Sequence, residues 1–446
     1  MKQLNKLTAY AIALAVTFSA CKEDDVAEND PTTGKTEIPD SFSSFTTEQN
    51  KANLEDNGIE LIQEVDDLKN SEGVNASSSF AYFLNKSESS GTNSRVFETF
   101  RILSSFSKGK ADMHDVTTSL RTTAEEPQSI QEFYDTYVGR IEWNSKTNEW
   151  DFTEEGDQIV FVFPSSEEKT TNDAELYIHS YEGIESPNPL GEEYEGDLPT
   201  KLKMELKVEG QPALNYDFSA NYNQDGEPTS VNTALSISNY TIAFKVRNDG
   251  TDAGAAYSFT KGDKTLMAMG AGVQGEFTTD HINEVEASET SNAGDIFNGV
   301  NAYFQLMDIK IAGDANMEKL FDEVDSLYAS YDHLTYEERD KLEKEKLDKE
   351  AEIMNKYINL VVFYDNKKEK IADSEFYVSE DVDTYSYQKY NQSTQTYETV
   401  EVSHTYYYTD LRFIFADESK SDMETYFGEG FNELNDEWTK LIESFE

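Results

Sequence analysis

The chain has 446 residues, 88 of them Asp or Glu against 37 Lys or Arg, a formal net charge of −51. Such an acid excess excludes nucleic acid as a partner, because phosphates need a basic face, and it excludes electrostatic docking to anionic lipid. The single cysteine, Cys21, excludes an internal disulfide and leaves stability to a core rich in aromatics, which make up 12% of the chain.

In chain order, the first element is apolar. Lys2 and Lys6 precede "AYAIALAVTF", residues 9–18. This run falls short of the roughly 20 residues that a bilayer span needs and has the length of a signal-peptide core, with the small residues Ser19 and Ala20 after it. Phe18-Ser19-Ala20-Cys21 resembles a bacterial lipobox, with Phe18 where the family prefers Leu. The resemblance implies cleavage before Cys21 and acylation of its thiol and its new amino group, so residues 1–20 are read as a lipoprotein signal and the membrane as a partner through the acyl anchor. Two or more acyl chains hold a protein stably, where one does not. Lys22, Glu23, Asp24 and Asp25, with Glu28 and Asp30 beyond them, are similar to the surface-export signal of lipoproteins from Bacteroidota. That likeness implies an outer-membrane lipoprotein facing the cell exterior. The mature chain would carry 35 basic and 88 acidic residues, a formal −53. Residues 21–46 are polar and acidic without apolar periodicity, which predicts a disordered tether.

Residues 47–128 are predicted helical, with Leu54, Leu61, Ile62, Val65 and Leu68 on one face. Over 129–313 the period switches to two. "TKLKMELKV", "LNYDFSANY" and "NYTIAFKV" alternate apolar and polar residues and are separated by turn signals such as Asn248-Asp249-Gly250. Strands of this kind, buried on one face only, predict an antiparallel meander, and "YFQLMDIKI", residues 303–311, reads as one more strand of it. Residues 314–356 predict a helical hairpin whose second helix opens with a capping box, Thr335 and Glu338. Residues 357–446 predict further strands and one terminal amphipathic helix over about 420–445. "EWNSKTNEWDFT" aligns without gaps to "KYNQSTQTYETV", residues 389–400, and both read as hairpins with paired aromatics around a polar loop. The echo raises an internal duplication as a possibility.

The motifs are weighed against ordinary structural roles. Gly270-x-Gly272-x-x-Gly275 has the spacing of a dinucleotide fingerprint but follows a meander strand, where a glycine-eased bend is the better reading. Asn221, Asn223 and Asp225 have the spacing of a calcium loop, but Asn232 stands where the twelfth-position Glu belongs, which favours a hairpin turn. Ser105 and Lys108 match one element of penicillin-recognising hydrolases without its partner motifs. The five histidines are scattered, and no motif calls for a cofactor or metal. Trp143, Trp150, Tyr390 and Tyr397 are candidates for stacking on sugar rings, with cross-strand packing as the alternative, and Tyr406 and Tyr408 raise the same choice.

The expected fold is α+β, a large curved antiparallel meander with helices on one face. The expected function is a lipid-anchored, non-catalytic binding protein at the outer membrane, whose partner is a glycan, an apolar ligand or an outer-membrane protein. Two alternatives stand beside it. One is a periplasm-facing carrier of an apolar ligand, with Met204, Phe218 and Phe244 as candidate lining. The other is a hydrolase of surface polysaccharide working through a carboxylate pair.

Overall fold

The computed structural model describes residues 31–86, 130–185, 197–224, 226–277, 279–287, 293–393, 395–428 and 431–443. Its centre is one sixteen-stranded sheet. The strands are β1 (Gly139–Asn144), β2 (Glu149–Thr153), β3 (Ile159–Phe163), β4 (Ala174–Glu185), β5 (Asp197–Val208), β6 (Gln211–Tyr222), β7 (Pro228–Ile237) and β8 (Tyr240–Asn248). They continue with β9 (Asp252–Lys261), β10 (Lys264–Gly275), β11 (Phe297–Leu306), β12 (Ile309–Asn316), β13 (Ile358–Tyr364), β14 (Glu369–Asn391), β15 (Thr396–Phe415) and β16 (Lys420–Asp422). Spatial order follows chain order from β16 down to β3 and ends β3-β1-β2. Every pairing is antiparallel except β1 with β3. The protein is therefore an α+β meander, as the period-two runs and their turn signals predict.

The predicted strand over 303–311 is a tight hairpin instead. β11 ends at Leu306, and Met307 takes the left-handed conformation (φ 50°) before β12 begins at Ile309. A non-glycine residue in that conformation gives no turn signal in the sequence.

Helices α1 (Thr47–Lys69), α2 (Glu72–Lys86) and α3 (Ile130–Tyr137) lie on one face of the sheet. Leu61, Val65 and Leu68 of α1 pack on Tyr240, Phe259, Leu266 and Met307. Phe80, Phe83 and Leu84 of α2 pack with Tyr134 of α3 over a core built from Phe161, Phe163, Ile178, Met204 and Leu206. Glu64 of α1 accepts hydrogen bonds from Lys261 and from Tyr240 and pins the helix to β8 and β9. A short helix α4 (Thr279–Ala287) follows β10. α5 (Met317–Tyr331) and α6 (Tyr336–Tyr357) form the predicted hairpin, and α6 opens with the Thr335–Glu338 capping box. The side-chain amide of Asn355 on α6 donates to Phe376 O and accepts from Phe376 N–H, which caps the open edge of β14 where β13 leaves it. The single terminal helix expected over 420–445 is divided into β16, α7 (Met423–Gly428) and α8 (Asn432–Glu443).

The segment predicted as disordered tether is ordered from Pro31 onward. Thr32 and Ser43 are buried. Backbone oxygens of Pro31, Thr32 and Thr33 approach Gly270, Gly254 and Gly272 so closely that a Cβ at any of the three would collide with them. Gly270 and Gly272 of the dinucleotide-like spacing thus sit in a strand and admit a crossing backbone. The segment then lays Ile38 against Ala312, Val361 and Phe363. At Lys370 it exchanges backbone hydrogen bonds through Ser41 O and Ser43 N–H and passes to the helix-bearing face, where Phe45 meets Tyr364 edge-on at 5.8 Å. Residues 31–46 form a strap around the sheet.

Candidate functional site

The site begins with an alternation. Phe304 and Leu306 on β11, Ile309 and Ile311 on β12, Val362 on β13, Ala372 on β14, and Phe413 and Phe415 on β15 all face the helix side. Asn50 and Leu54 of α1 cover this surface from above, and Tyr426, Phe431 and Leu434 close it from the C-terminal side. The residues enclose an apolar cavity of about 360 Å³, within the roughly 300–1,000 Å³ range of ligand pockets. Phe304 is 41% exposed and stands at the opening, beside its cross-strand partner Met269, itself half-exposed.

Local contacts hold the walls. Gly58 lets α8 approach α1, because Leu434 occupies the space that a side chain on Gly58 would need. The Lys51 ammonium lies over the rings of Tyr426 and Phe431, at 5.4 and 5.7 Å from their centroids, and ties α7 and the start of α8 to α1. Buried Tyr364 donates to Asn50 Oδ1 at 2.8 Å and accepts from Asn53 Nδ2 at 2.9 Å. Burial, and after it the neighbouring Tyr364 and Glu48, push the Tyr426 phenol up to about 12, so that it stays neutral at physiological pH. Among the described residues the lining holds no carboxylate, histidine, serine or cysteine; the amides of Asn50 and Asn435 are its polar side chains apart from that phenol. The chemistry on offer is desolvation of an apolar body.

The residues singled out from sequence are placed as follows. Cys21, Lys22, Glu23, Asp24 and Asp25 lie outside the described residues, as do Ser105, Lys108 and His114. Trp143 and Trp150 are not available for stacking. They face each other across β1 and β2 at 5.4 Å between ring centroids, inside the core with Phe83 and Phe161. Tyr390 and Tyr397 form the corresponding pair at the tip of β14–β15, at 5.2 Å, and are exposed. Met204 is core and Phe218 packs against it, so the cavity is not where those residues and Phe244 suggested. Asn223 sits in the β6–β7 turn, accepting at its side chain from Glu227 N–H. Among the described residues no group of three or more His, Cys, Asp or Glu side chains is placed to hold a metal. The lining residues Phe304, Ile311, Phe413 and Phe415 were missed, although "YFQLMDIKI" and "LRFIF" carry the alternation that puts them on one face.

A scan against protein-family models finds no match, and searches of curated proteins and of solved structures find none either.

Proposed function

We propose that this protein is a lipid-anchored, non-catalytic binding protein of the outer membrane that takes an apolar ligand into the cavity between β11–β15, α1 and the C-terminal helices. The observation that carries the ligand class is the lining: phenyl and aliphatic side chains, two amides and a phenol kept neutral. The lipobox-like Phe18-Ser19-Ala20-Cys21 supports the anchor, and the acidic run after it supports display on the cell exterior. The open side at Phe304 gives a route by which a ligand enters without unfolding the helices.

Titration with the uncharged fluorophore N-phenyl-1-naphthylamine tests the ligand class. Saturable one-to-one binding is expected, weakened at least tenfold by Ala372→Leu, which adds bulk inside the cavity, and equally by Leu434→Trp on the helical wall. Thermal unfolding of both variants controls for misfolding. Binding unchanged in both folded variants would overturn the assignment. Protease shaving of intact cells tests the address. Cleavage of the wild type, with protection when residues 23–25 are alanine, supports surface display. Protection of the wild type until the outer membrane is opened makes it a periplasm-facing carrier.

A further inference from the structure

The cavity leaves one large feature unused. From Phe376↔Leu411 to Asn391↔Thr396, β14 and β15 pair only with each other. The α5–α6 hairpin flanks the base of this ribbon, through Asn355 at Phe376 and through Lys344 over the Tyr407 ring at 6.0 Å. Beyond that the ribbon is a free arm. Two-stranded ribbons are marginal in water, and this one is held by side-chain pairs on both faces. Thr384 and Ser403 hydroxyls meet at 3.0 Å, Gln388 donates to Thr399 at 2.8 Å, and Asn391 donates to Glu398 at 2.8 Å.

The two faces differ in chemistry. Directly opposed residues share a face, so the register puts Tyr385 with Val402, Tyr387 with Val400, Asp383 with His404 and Asp381 with Tyr406 on one side, and Tyr408 follows on the same side. The other side is Thr, Ser, Gln and Glu along its middle, with Val382 and Tyr407 toward the base and the Tyr390–Tyr397 pair at the tip. Tyr385, Tyr387, Tyr406 and Tyr408 are all exposed, Tyr385 at 52%. Four exposed tyrosines on a projecting element, with Asp381 and Asp383 set among them, mark an interaction surface, and tyrosine is a favoured anchor in such surfaces.

Charge selects the partner. Between residues 380 and 408 there are five carboxylates and one lysine, Lys389; Asp381, Asp383 and Glu398 share the tyrosine face, and Glu380 and Glu401 lie on the other. Among the described residues none of the five pairs with a cation. In the body, by contrast, Glu375 at the foot of the arm binds both Arg412 and Lys420, and Asp173 binds Lys169. A second copy of this chain would bring another −51 to the interface, and a neutral glycan would leave the carboxylates uncompensated. Lysine and arginine side chains would satisfy the carboxylates and lie over the tyrosine faces.

We propose that the tyrosine face of the β14–β15 arm is a docking surface for a polypeptide segment rich in lysine or arginine. This surface is separate from the cavity and does not depend on its ligand.

The full chain is tested against immobilised eight-residue peptides in which valine alternates with Lys or Arg, with Glu-for-Lys versions and a neutral oligosaccharide array as the other arms. Retention is expected to rise with the number of Lys and Arg residues, to vanish for the Glu versions, and to fall at least tenfold between 50 and 500 mM salt. Two variants address different parts of the surface. Asp381→Asn/Asp383→Asn/Glu398→Gln removes charge, and Tyr385→Ser/Tyr408→Ser removes the aromatic surface. Each is expected to weaken binding at least tenfold while fluorophore binding in the cavity is unchanged. Hydrogen exchange over residues 380–408 verifies that the arm stays paired. Absence of peptide binding at millimolar concentration, or binding undiminished by the charge variant, would overturn the proposal. Retention on the neutral oligosaccharides alone, or self-association through the arm in sedimentation, would overturn it in favour of those partners.

Discussion

Two hairpins of this molecule have the same local design and opposite environments. In β1–β2, Asn144 Oδ1 accepts from Lys146 N–H at 3.1 Å and its Nδ2 donates to Asp151 at 2.8 Å, while Asn148 closes the loop with φ 56°. In β14–β15, Asn391 Oδ1 accepts from Ser393 N–H at 3.0 Å and its Nδ2 donates to Glu398 at 2.8 Å, while Gln395 closes the loop with φ 55°. The aromatic pair beside each loop occupies the same register, Trp143↔Trp150 and Tyr390↔Tyr397. Yet Trp143 is 3% exposed under α2, and Tyr397 is 69% exposed at the end of a free arm. Local sequence sets hairpin geometry, whereas the elements packed above it decide whether its aromatics are core or surface. Beyond the hairpins the surroundings diverge. "IVFVF" is the separate strand β3, parallel to β1, whereas "LRFIF" continues β15 itself. The likeness is thus confined to the hairpins.

The sharpest way to break the comparison is aromatic deletion. Trp150→Ala is expected to lower global stability by about 3–5 kcal/mol, as large core truncations do. Tyr397→Ala should cost no more than about 1 kcal/mol, the worth of a cross-strand aromatic pair. Urea denaturation of both variants measures the difference, and equal costs would refute the contrast in burial. Removal of the loop asparagine sharpens it. Asn144→Ala loses two hydrogen bonds and Asn391→Ala three, the third from the Ser393 hydroxyl, about 1 kcal/mol apiece. The first loss should appear in the global unfolding midpoint and the second only as faster amide exchange at the arm tip. Glycine at the left-handed position acts in the other direction. Gln395→Gly should slow exchange at the tip by the equivalent of about 0.5 kcal/mol, and Asn148→Gly should gain less, because Asn already tolerates that conformation.

The smallest effect expected is on pH dependence. Burial pushes the Asp173 carboxyl up, but hydrogen bonds from Lys169 and Ser165 outweigh it and hold the group below the usual carboxylate range. Glu375 behaves alike, burial being outweighed by Lys420 and Arg412. A lowered folded-state pKa contributes stability that is present above the unfolded value, about 4, and is lost as pH falls below it. Acid titration should therefore destabilise the body around Asp173 and the foot of the arm at Glu375 in that window. A midpoint flat from pH 5 to pH 2.5 would contradict it.

Much of the sheet was legible in the sequence, because strands buried on one face alternate visibly and end at polar turns. The hairpin echo was legible for the same local reason. The strap was not. Residues 31–46 look disordered by composition, since what orders them is mostly backbone docking onto glycines more than two hundred residues away. The one available signal was Gly270 and Gly272 within a strand, which marks close backbone approach. The cavity was half legible. Alternation put Phe413 and Phe415 on one face, but the lid depends on the break between α7 and α8, and the expected single helix hid it. Burial of Trp143 and Trp150 depends on α2, which local pattern does not encode.

The strap also has a mechanical consequence. If Cys21 is acylated as proposed, only nine residues lie between the anchor and Pro31, at most about 36 Å of chain. A pull on the body would not first unravel α1. The load would enter at the glycines of β9 and β10, travel across the sheet beneath Ile38, and meet the paired backbone at Lys370 before reaching the helices. The segment that looks like slack rope is a harness, and it would transmit drag on the arm to the membrane as a shear across strands.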